Sequence, residues 1–264
     1  MDLHTDKMIA EKEGLIGWIT FNNPAKRNAV SLEMWEALGV ILTDFQQDEN
    51  IRVVVMKGAG DKSFVSGADI SEFEKQRNTA ASKDEYAEKS AMAHSMLYRL
   101  DKPLIAMIQG YCIGGGMAVA LNADVRFATD DSTFGIPAAK LGLGYGYGGV
   151  KALHDLVGPS CAKDILFSGR FLDAEEALRI GLINRIVARD DLETTVREYA
   201  VTVAGNAPLT IKAAKAAVKE ILKNPENRDL KKIDKMINDC FDSKDYVEGR
   251  RAFMEKRTPV FTGR

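Results

Sequence analysis

Short apolar runs bounded by glycine or asparagine open the chain and recur between longer segments with helical spacing. Residues 7–23 contain two such runs on either side of Glu13-Gly14, and this pattern predicts a β-hairpin. The runs at 51–58 and 102–110 are dense in β-branched and other apolar residues, which is typical of strands covered on both faces. The pattern therefore predicts a hairpin followed by buried strands of a parallel sheet.

Two segments between these strands have the spacing of helices. The first is 31–48, and the second, 82–100, begins with Ser82 and Glu85, whose spacing predicts a capping box. Another strand is predicted at 124–130, after a helix led by glycines. Strands that alternate with helices in this way favour right-handed βαβ units and an α/β fold.

The last part of the chain has mostly helical spacing. Pro159, Pro208 and the pair Asp173 and Glu176 are typical of helix starts. The segment 181–187 is the one convincing strand in this part. We therefore expect helices to dominate the C-terminal third.

Size and composition set the broad class of the protein. With 264 residues, 45% of them hydrophobic, the chain is long enough to bury a full core. The element pattern divides it into an α/β core, residues 1–190, and a helical C-terminal region, residues 191–264. A formal net charge of -2 gives no basic field, which argues against nucleic acid or an anionic membrane surface as the partner. A small metabolite is the favoured ligand class.

The three cysteines and the two ends of the chain carry little further signal. Cys112, Cys161 and Cys240 are odd in number and form no CxxC motif, which argues against a disulfide framework and a zinc site. The N-terminus has no sustained apolar run, and no segment approaches the roughly 20 apolar residues of a membrane span. We expect a cytoplasmic protein with reduced thiols, no bound metal and no contact with a membrane.

Two glycine-containing turns are the first candidates for chemistry. In GYCIGGGMAVALNAD, residues 110–124, three glycines precede a helix whose first turns carry no polar side chain. Such a helix start can bind an anion through its unpaired amides, although a tight packing turn has the same pattern. A second stretch, KSFVSGADISEF at 62–73, presents small residues after a strand and, taken alone, is typical of a helix N-cap. Together the two turns can supply two backbone donors to one oxyanion.

Four segments carry a resemblance to a known family. SFVSGADISEF, IQGYCIGGGMAVALNADVRFA, STFGIPAAKLGL and LDAEEALRIGLINRIV, in this order and at these separations, resemble the crotonase family, also called enoyl-CoA hydratase/isomerase. PAKRNAVS near the start and RRAFMEKRTPVF at the end extend the match over nearly the whole chain. The resemblance implies an α/β fold with a crotonase-like ββα spiral core and a helical C-terminal region. It also implies a homotrimer or hexamer.

The resemblance implies a site for an acyl-CoA thioester. Family members stabilise the enolate oxygen of such a thioester with two backbone amides, which are those of Ala68 and Gly115 by motif position. Coenzyme A arrives as part of the substrate, so no separate cofactor is expected. The predicted contacts to the substrate are Lys26, Arg27, Ser66, Ala68, Asp69, Ile70 and Gly115.

The chain departs from the family pattern at two positions. Family hydratases carry one glutamate in the helix after the glycines and another after the FG-x-P turn, where this chain has Ala118 and Ala138. Hydration needs a base for water and an acid for the α-carbon, and alanine supplies neither. Ordinary enoyl-CoA hydration is therefore not expected. Small side chains at these positions favour an apolar pocket for a bulky or branched acyl group.

Other side chains are candidates for proton handling. Tyr145 falls where family decarboxylases carry a tyrosine, but it also fits a loop tyrosine packed on its own glycines. Glu72 lies one helical turn after Ala68, but it also fits an ordinary charge of a first helical turn. His94 has the spacing of a packed histidine.

Three functions follow from these readings. The first is an acyl-CoA enzyme whose reaction does not need the two glutamates; decarboxylation is the simplest, while isomerisation and hydration by a displaced acid stay open. The second is an acyl-CoA-binding homologue without catalysis, a scaffold or subunit. The third, a dinucleotide-binding oxidoreductase, is disfavoured because the spacing is G-xxx-GGG and not G-x-G-x-x-G.

Overall fold

The larger of two sheets forms the centre of the molecule. The computed structural model describes residues 1–69 and 80–264, and of residues 80–84 only the backbone. The six strands of the larger sheet are β1 Met8–Glu13, β2 Ile16–Phe21, β3 Val53–Gly58, β5 Leu104–Ile108, β7 Val125–Thr129 and β10 Arg185–Val187. They pair in the order β1-β2-β3-β5-β7-β10, with β1 and β2 antiparallel and the other pairs parallel.

The smaller sheet consists of very short strands. They are β4 Ser63–Val65, β6 Tyr111–Ile113, β8 Thr133–Gly135 and β9 Phe171–Leu172. β4, β6 and β8 are parallel neighbours, and β9 pairs antiparallel with β8. Each parallel strand of this sheet comes soon after a strand of the larger sheet, so the chain moves repeatedly from one sheet to the other.

Helices cover both sheets. The α-helices in the described part of the chain are α1 Leu32–Gln47, α2 Ala80–Arg99, α3 Gly115–Ala120, α4 Tyr147–Ser168, α5 Ala174–Arg179, α6 Leu192–Gly205, α7 Pro208–Ile221, α8 Leu230–Phe241 and α9 Lys244–Glu255. Short 3₁₀ helices lie at Pro24–Lys26, Pro137–Leu141, Arg189–Asp191 and Pro225–Asn227. Among the described helices, none has both the length and the apolarity to cross a membrane.

The two faces of the larger sheet pack into separate apolar clusters. In β3, Val54 and Met56 point into a cluster with α1, whereas Val53 and Val55 point into a second cluster with α6. All four are fully buried. Because successive side chains of a strand face opposite sides, a strand buried on both faces must be apolar throughout. This explains the unbroken apolar run Val53–Met56.

Most of the predicted elements are confirmed. The hairpin forms β1 and β2, and Gly14 in its turn has a φ of 56°. The apolar runs form β3, β5 and β7, and the first helical segment forms α1. Asp173 caps α5 by accepting from the amide of Glu176 at 2.7 Å, as predicted for a helix start. Pro208 is the first residue of α7.

Other predicted boundaries are corrected by the structure. The capping box predicted at Ser82 is wrong because α2 already includes Ala80, and alanine is the strongest helix former. The helix start predicted at Pro159 is confirmed instead, because Gly158, with a φ of 75° and a ψ of 170°, is non-helical and divides α4 into two helical segments, the second of which begins at Pro159. The strand predicted at 181–187 is limited to β10, and β9 is a further strand in this part.

Candidate active site

Three neighbouring parallel strands end at one edge of the smaller sheet. The carboxyl ends of β4, β6 and β8 lead into residues 66–69, 114–118 and 136–138. The amide of Gly114 donates to the carbonyl of Gly135 at 2.8 Å, which ties the second segment to the third. In open parallel sheets ligands bind outside the carboxyl ends of the strands. This edge is therefore the candidate active site.

The three consecutive glycines place the start of α3 directly against the end of β4. Gly114 has a φ of 55°, in the left-handed region that favours glycine. A Cβ on Gly115 would lie 3.4 Å from the amide nitrogen of Ala68, and a Cβ on Gly116 would overlap the carbonyl oxygen of Val65. Side chains here would push the helix away from the strand. The bare backbone thus allows the two segments to touch.

The amides of Ala68 and Gly115 lie close together, and the described part of the chain offers neither of them an acceptor. In the parallel bridge between Val30 and Ala68, Val30 donates to the carbonyl of Gly67 at 2.8 Å and Asp69 donates to the carbonyl of Val30 at 3.1 Å. The intervening amide of Ala68 therefore points away from Val30. Gly115 is the first residue of α3, where amides lack an intrahelical partner. Neither amide has a hydrogen-bond acceptor among the described residues.

The loop at 24–30 places the predicted coenzyme A contacts beside this edge. The amide of Ser66 donates to the carbonyl of Arg27 at 3.1 Å. The Nζ of Lys26 lies 2.7 Å from Oδ2 of Asp69, whose side chain is 4% exposed. The guanidinium of Arg27 is exposed, lies 5.2 Å from the ring centroid of Tyr111 and has no carboxylate partner in the described part of the chain. Lys26 is thus engaged with Asp69, whereas Arg27 is available to an anionic ligand.

Asn28 holds this loop in place, although the sequence analysis did not single it out. It is fully buried and has a φ of 57°, a left-handed conformation that asparagine tolerates. Its Oδ1 accepts from the amide of Asn23 at 2.9 Å, and its Nδ2 donates to the carbonyls of Ala59 at 2.9 Å and Ser63 at 2.8 Å. Both polar atoms of the Asn28 side chain, Oδ1 and Nδ2, therefore form hydrogen bonds within the fold.

Small side chains occupy the positions of the two family glutamates. Ala118 lies on α3 and Ala138 on the 3₁₀ helix Pro137–Leu141, and both are half-buried. Tyr145 packs against the same apolar cluster as Ala138. Burial raises the pKa of Tyr145 to about 12, and its buried hydroxyl has no partner among the described residues. The phenol therefore stays protonated at neutral pH and is a hydrogen-bond donor, not a base.

Two predicted site residues, Ile70 and Glu72, lie outside the described residues. The predictions that Ile70 contacts the substrate and that Glu72 handles protons are therefore carried by the sequence alone. In the described ranges, no three His, Cys, Asp or Glu side chains are grouped to hold a metal ion. The described groups that this edge offers for chemistry are therefore its backbone amides.

His94, on α2, is a packed histidine beside the C-terminal end of α3. Its ring lies 5.0 Å from that of Trp35, and its Nδ1 accepts from Nδ2 of Asn122 at 3.1 Å. The same Nδ2 donates to the carbonyl of Ala118 at 2.7 Å. Burial lowers the pKa of His94 from its ordinary value of 6.5 to about 4. The imidazole is therefore neutral in the folded protein above about pH 5.

The low pKa of His94 predicts a stability that falls with acidity. Between pH 6.5 and about 4 the unfolded chain binds a proton at this ring and the folded chain does not, so the free energy of unfolding decreases as pH falls, by about 1 kcal/mol per pH unit. Urea unfolding at pH 7 and pH 5 measures the slope. His94→Phe keeps the packing on Trp35 and is expected to reduce the slope, whereas His154→Phe, at an exposed ring, is expected to keep it. Equal slopes in both variants would contradict the assignment.

Comparison with known proteins gives a consistent result along the chain. A family model described as enoyl-CoA hydratase/isomerase matches residues 11–264. The short-chain-enoyl-CoA hydratase of Clostridium acetobutylicum is 34% identical over 259 residues, 97% of each chain. A carnitinyl-CoA dehydratase of Citrobacter koseri is 34% identical over 257 residues, 96% of this chain and 97% of that protein. The crystal structure of an enoyl-CoA hydratase/carnithine racemase from Magnetospirillum magneticum has a TM-score of 0.91 at 33% identity and covers 98% of this chain and 97% of its own.

Proposed function

The chain belongs to the enoyl-CoA hydratase/isomerase family, and from this premise we propose that it binds an acyl-CoA thioester with the carbonyl oxygen between the amides of Ala68 and Gly115. The observation that carries the proposal is that these two amides adjoin each other without an acceptor among the described residues. When the thioester becomes an enolate, its oxygen gains negative charge. Backbone donors fixed around that oxygen stabilise the enolate more than the neutral carbonyl.

The reaction we propose is decarboxylation of an acyl group that carries a carboxylate on its α-carbon. The bond between the α-carbon and the carboxylate breaks, carbon dioxide leaves, and the electron pair moves into the enolate of the thioester. A proton then adds to the α-carbon. No base is needed to form the enolate, which is consistent with Ala118 and Ala138 at the glutamate positions. Isomerisation, or hydration by a displaced acid, would instead need a side chain that removes a proton.

Tyr145 and Glu72 are proposed to take part in proton handling at this site. The raised pKa of Tyr145 favours its hydroxyl as a hydrogen-bond donor to the departing carboxylate or to the enolate. Because this hydroxyl lacks a partner among the described residues, a substrate oxygen would satisfy a buried donor. Glu72 is proposed from its sequence position alone. The small side chains of Ala118 and Ala138 favour a bulky or branched acyl group as the substrate.

Coenzyme A is proposed to lie against the loop at 24–30 and the backbone of 66–70. The exposed Arg27 supplies a cation for its phosphates. Lys26 belongs to the same loop, and its charge is paired to Asp69. Asp69 therefore orients Lys26, and a phosphate would share the charge of Lys26. Ser66 and Ile70 are proposed to contact the substrate through their main chain. The thioester brings coenzyme A with it, and no further cofactor is proposed.

A homotrimer or hexamer is proposed for the assembled protein. A groove of about 1130 Å³ lies between α7, α8 and α9 and is lined mainly by apolar side chains. Phe253 and Met254 on α9 are 82% and 81% exposed. Apolar surface of this extent is typical of protein contacts. Native mass spectrometry measures the number of chains.

Mass spectrometry of a mixed acyl-CoA pool tests the proposed reaction. The pool is incubated with the protein and contains α-carboxylated, enoyl and branched acyl thioesters. Loss of the mass of carbon dioxide from one component is expected. Gain or loss of the mass of water would instead assign hydratase or dehydratase activity, and the decarboxylation proposal would be wrong. An unchanged pool would favour the alternative, an acyl-CoA-binding homologue without catalysis, which the paired alanines also support.

A chromophoric thioester tests the binding proposal separately from the reaction. The probe is a 4-(dimethylamino)cinnamoyl-CoA, whose absorption band moves to longer wavelength when its carbonyl oxygen is polarised. We expect a red shift on binding, because two amides would donate to that oxygen. The matched control is the thioether in which a methylene group replaces the carbonyl. Equal affinity for the two, without a red shift, would contradict the oxyanion proposal.

A further inference from the structure

The loop at 24–30 holds the end of β4 on both sides of Ala68. Before Ala68, the amide of Ser66 donates to the carbonyl of Arg27, and the carbonyl of Gly67 accepts from the amide of Val30. After Ala68, the amide of Asp69 donates to the carbonyl of Val30. Each peptide plane that flanks Ala68 is therefore fixed by a main-chain bond to the loop. A displacement of the loop would rotate these planes and redirect the amide of Ala68.

Asn28 fixes the same loop to the start of β4. Its Nδ2 donates to the carbonyl of Ser63, the first residue of β4, and to that of Ala59 in the preceding turn. A Cβ on Gly58 would lie 2.7 Å from this Nδ2, so the side chain fills the space that the glycine leaves. The loop is thus held at the beginning of β4 by a side chain and at its end by backbone bonds. Its register along the strand is set at both points.

From these contacts we infer that Asn28 is a positioning residue: it directs the amide of Ala68 toward the thioester oxygen, although it does not touch the substrate. The inference rests on the proposed function, because it concerns one of the two proposed donors. Asparagine suits the position for two reasons. It tolerates the left-handed backbone, and it supplies both an acceptor for Asn23 and a donor for two carbonyls.

Two substitutions separate the side chain from the backbone conformation. Asn28→Gly keeps the left-handed backbone free of strain and removes all three hydrogen bonds. Asn28→Asp keeps the acceptor and loses the donor. Asp245→Ala is the matched control, since Asp245 is also buried and accepts three hydrogen bonds, from Thr262 and Gly263, in the C-terminal tail. Loss of the Asp245 carboxylate is expected to lower the stability of the fold without affecting the hydrogen bonds to the thioester carbonyl.

The red shift of the chromophoric thioester and its affinity relative to the thioether are then measured for each variant. We expect both Asn28 variants to lose most of the shift and about tenfold of the preference for the thioester, because a hydrogen bond to the carbonyl is weakened. Any loss of coenzyme A binding through the loop at 24–30 lowers the affinity for thioester and thioether alike and leaves their ratio unaffected. The red shift in Asp245→Ala is expected to stay unchanged. Where Asn28→Gly does not fold, Asn28→Asp gives the result.

The outcomes distinguish this inference from the proposed function. A wild-type protein without a red shift contradicts the proposed function itself. A wild-type shift that persists at full size in a folded Asn28 variant overturns the positioning role and leaves the proposed donors intact. A shift lost equally in Asp245→Ala would also overturn it, because general destabilisation would then explain the effect.

Discussion

Replacing Ala68 by proline is expected to lower turnover by about 10²–10³-fold, the usual cost of removing one oxyanion donor. The substrate for this measurement is the acyl-CoA that the protein consumes from the mixed pool. Proline has no amide hydrogen, and the amide of Ala68 is not used in the bridge to Val30. The flanking hydrogen bonds, made by the carbonyl of Gly67 and the amide of Asp69, are retained. Steady-state kinetics on the wild type and the variant give the ratio.

The matched control for this substitution is Ala68→Ser. Serine keeps the amide hydrogen and adds only a hydroxyl at a half-buried position, so turnover is expected to stay within about tenfold of wild type. Circular dichroism and thioether binding show whether Ala68→Pro is folded. A folded proline variant with wild-type turnover would mean that this amide does not stabilise the transition state.

The paired substitution Ala118→Glu and Ala138→Glu is expected to raise hydration of crotonyl-CoA by at least about 10²-fold, the low end for one positioned proton transfer. Both positions are half-buried and follow neighbouring strands, β6 and β8, whose ends meet at the candidate site. Carboxylates placed there would supply the base for water and the acid for the α-carbon. Loss of absorbance of the conjugated thioester measures the rate.

A pair of glutamines tests whether shape or proton transfer is responsible. Ala118→Gln with Ala138→Gln adds side chains of the same size that do not exchange protons, and hydration is expected to stay at the wild-type rate. If the wild type already hydrates crotonyl-CoA as fast as the glutamate pair, another group supplies the acid and base. The argument from the two alanines would then be wrong.

Most of the larger sheet was accessible from sequence because β2, β3, β5 and β7 have five or six residues and are largely buried on both faces. Val53–Met56 in β3 is apolar at every position, and such a short continuous run bounded by Gly58 distinguishes the strand from an amphipathic helix. The strands of the smaller sheet have two or three residues, too few for any periodicity. The start of α2 was also misplaced, because the helix already includes Ala80, and alanine favours a helix by its intrinsic propensity. Length and local propensity thus set the limit.

The site was predictable in its backbone and much less so in its contacts. The small residues around Ala68 and Gly115 were visible, because close backbone approach needs glycine or alanine. The ion pair between Lys26 and Asp69 was not, since the two lie 43 positions apart. Asn28 gave only a weak signal, a lone asparagine in a loop before an apolar run. Its role depends on three partners that folding brings together.

The proposed donors belong to the main chain, and this has a consequence for mutational scanning. Exchanging one side chain for another at position 68 leaves the N–H group in place, so an alanine scan would pass over the position entirely. A saturation library would respond there to proline, and at position 116 to bulk, because a Cβ there meets the Val65 carbonyl. The proposed donors would therefore look like packing constraints in such a map.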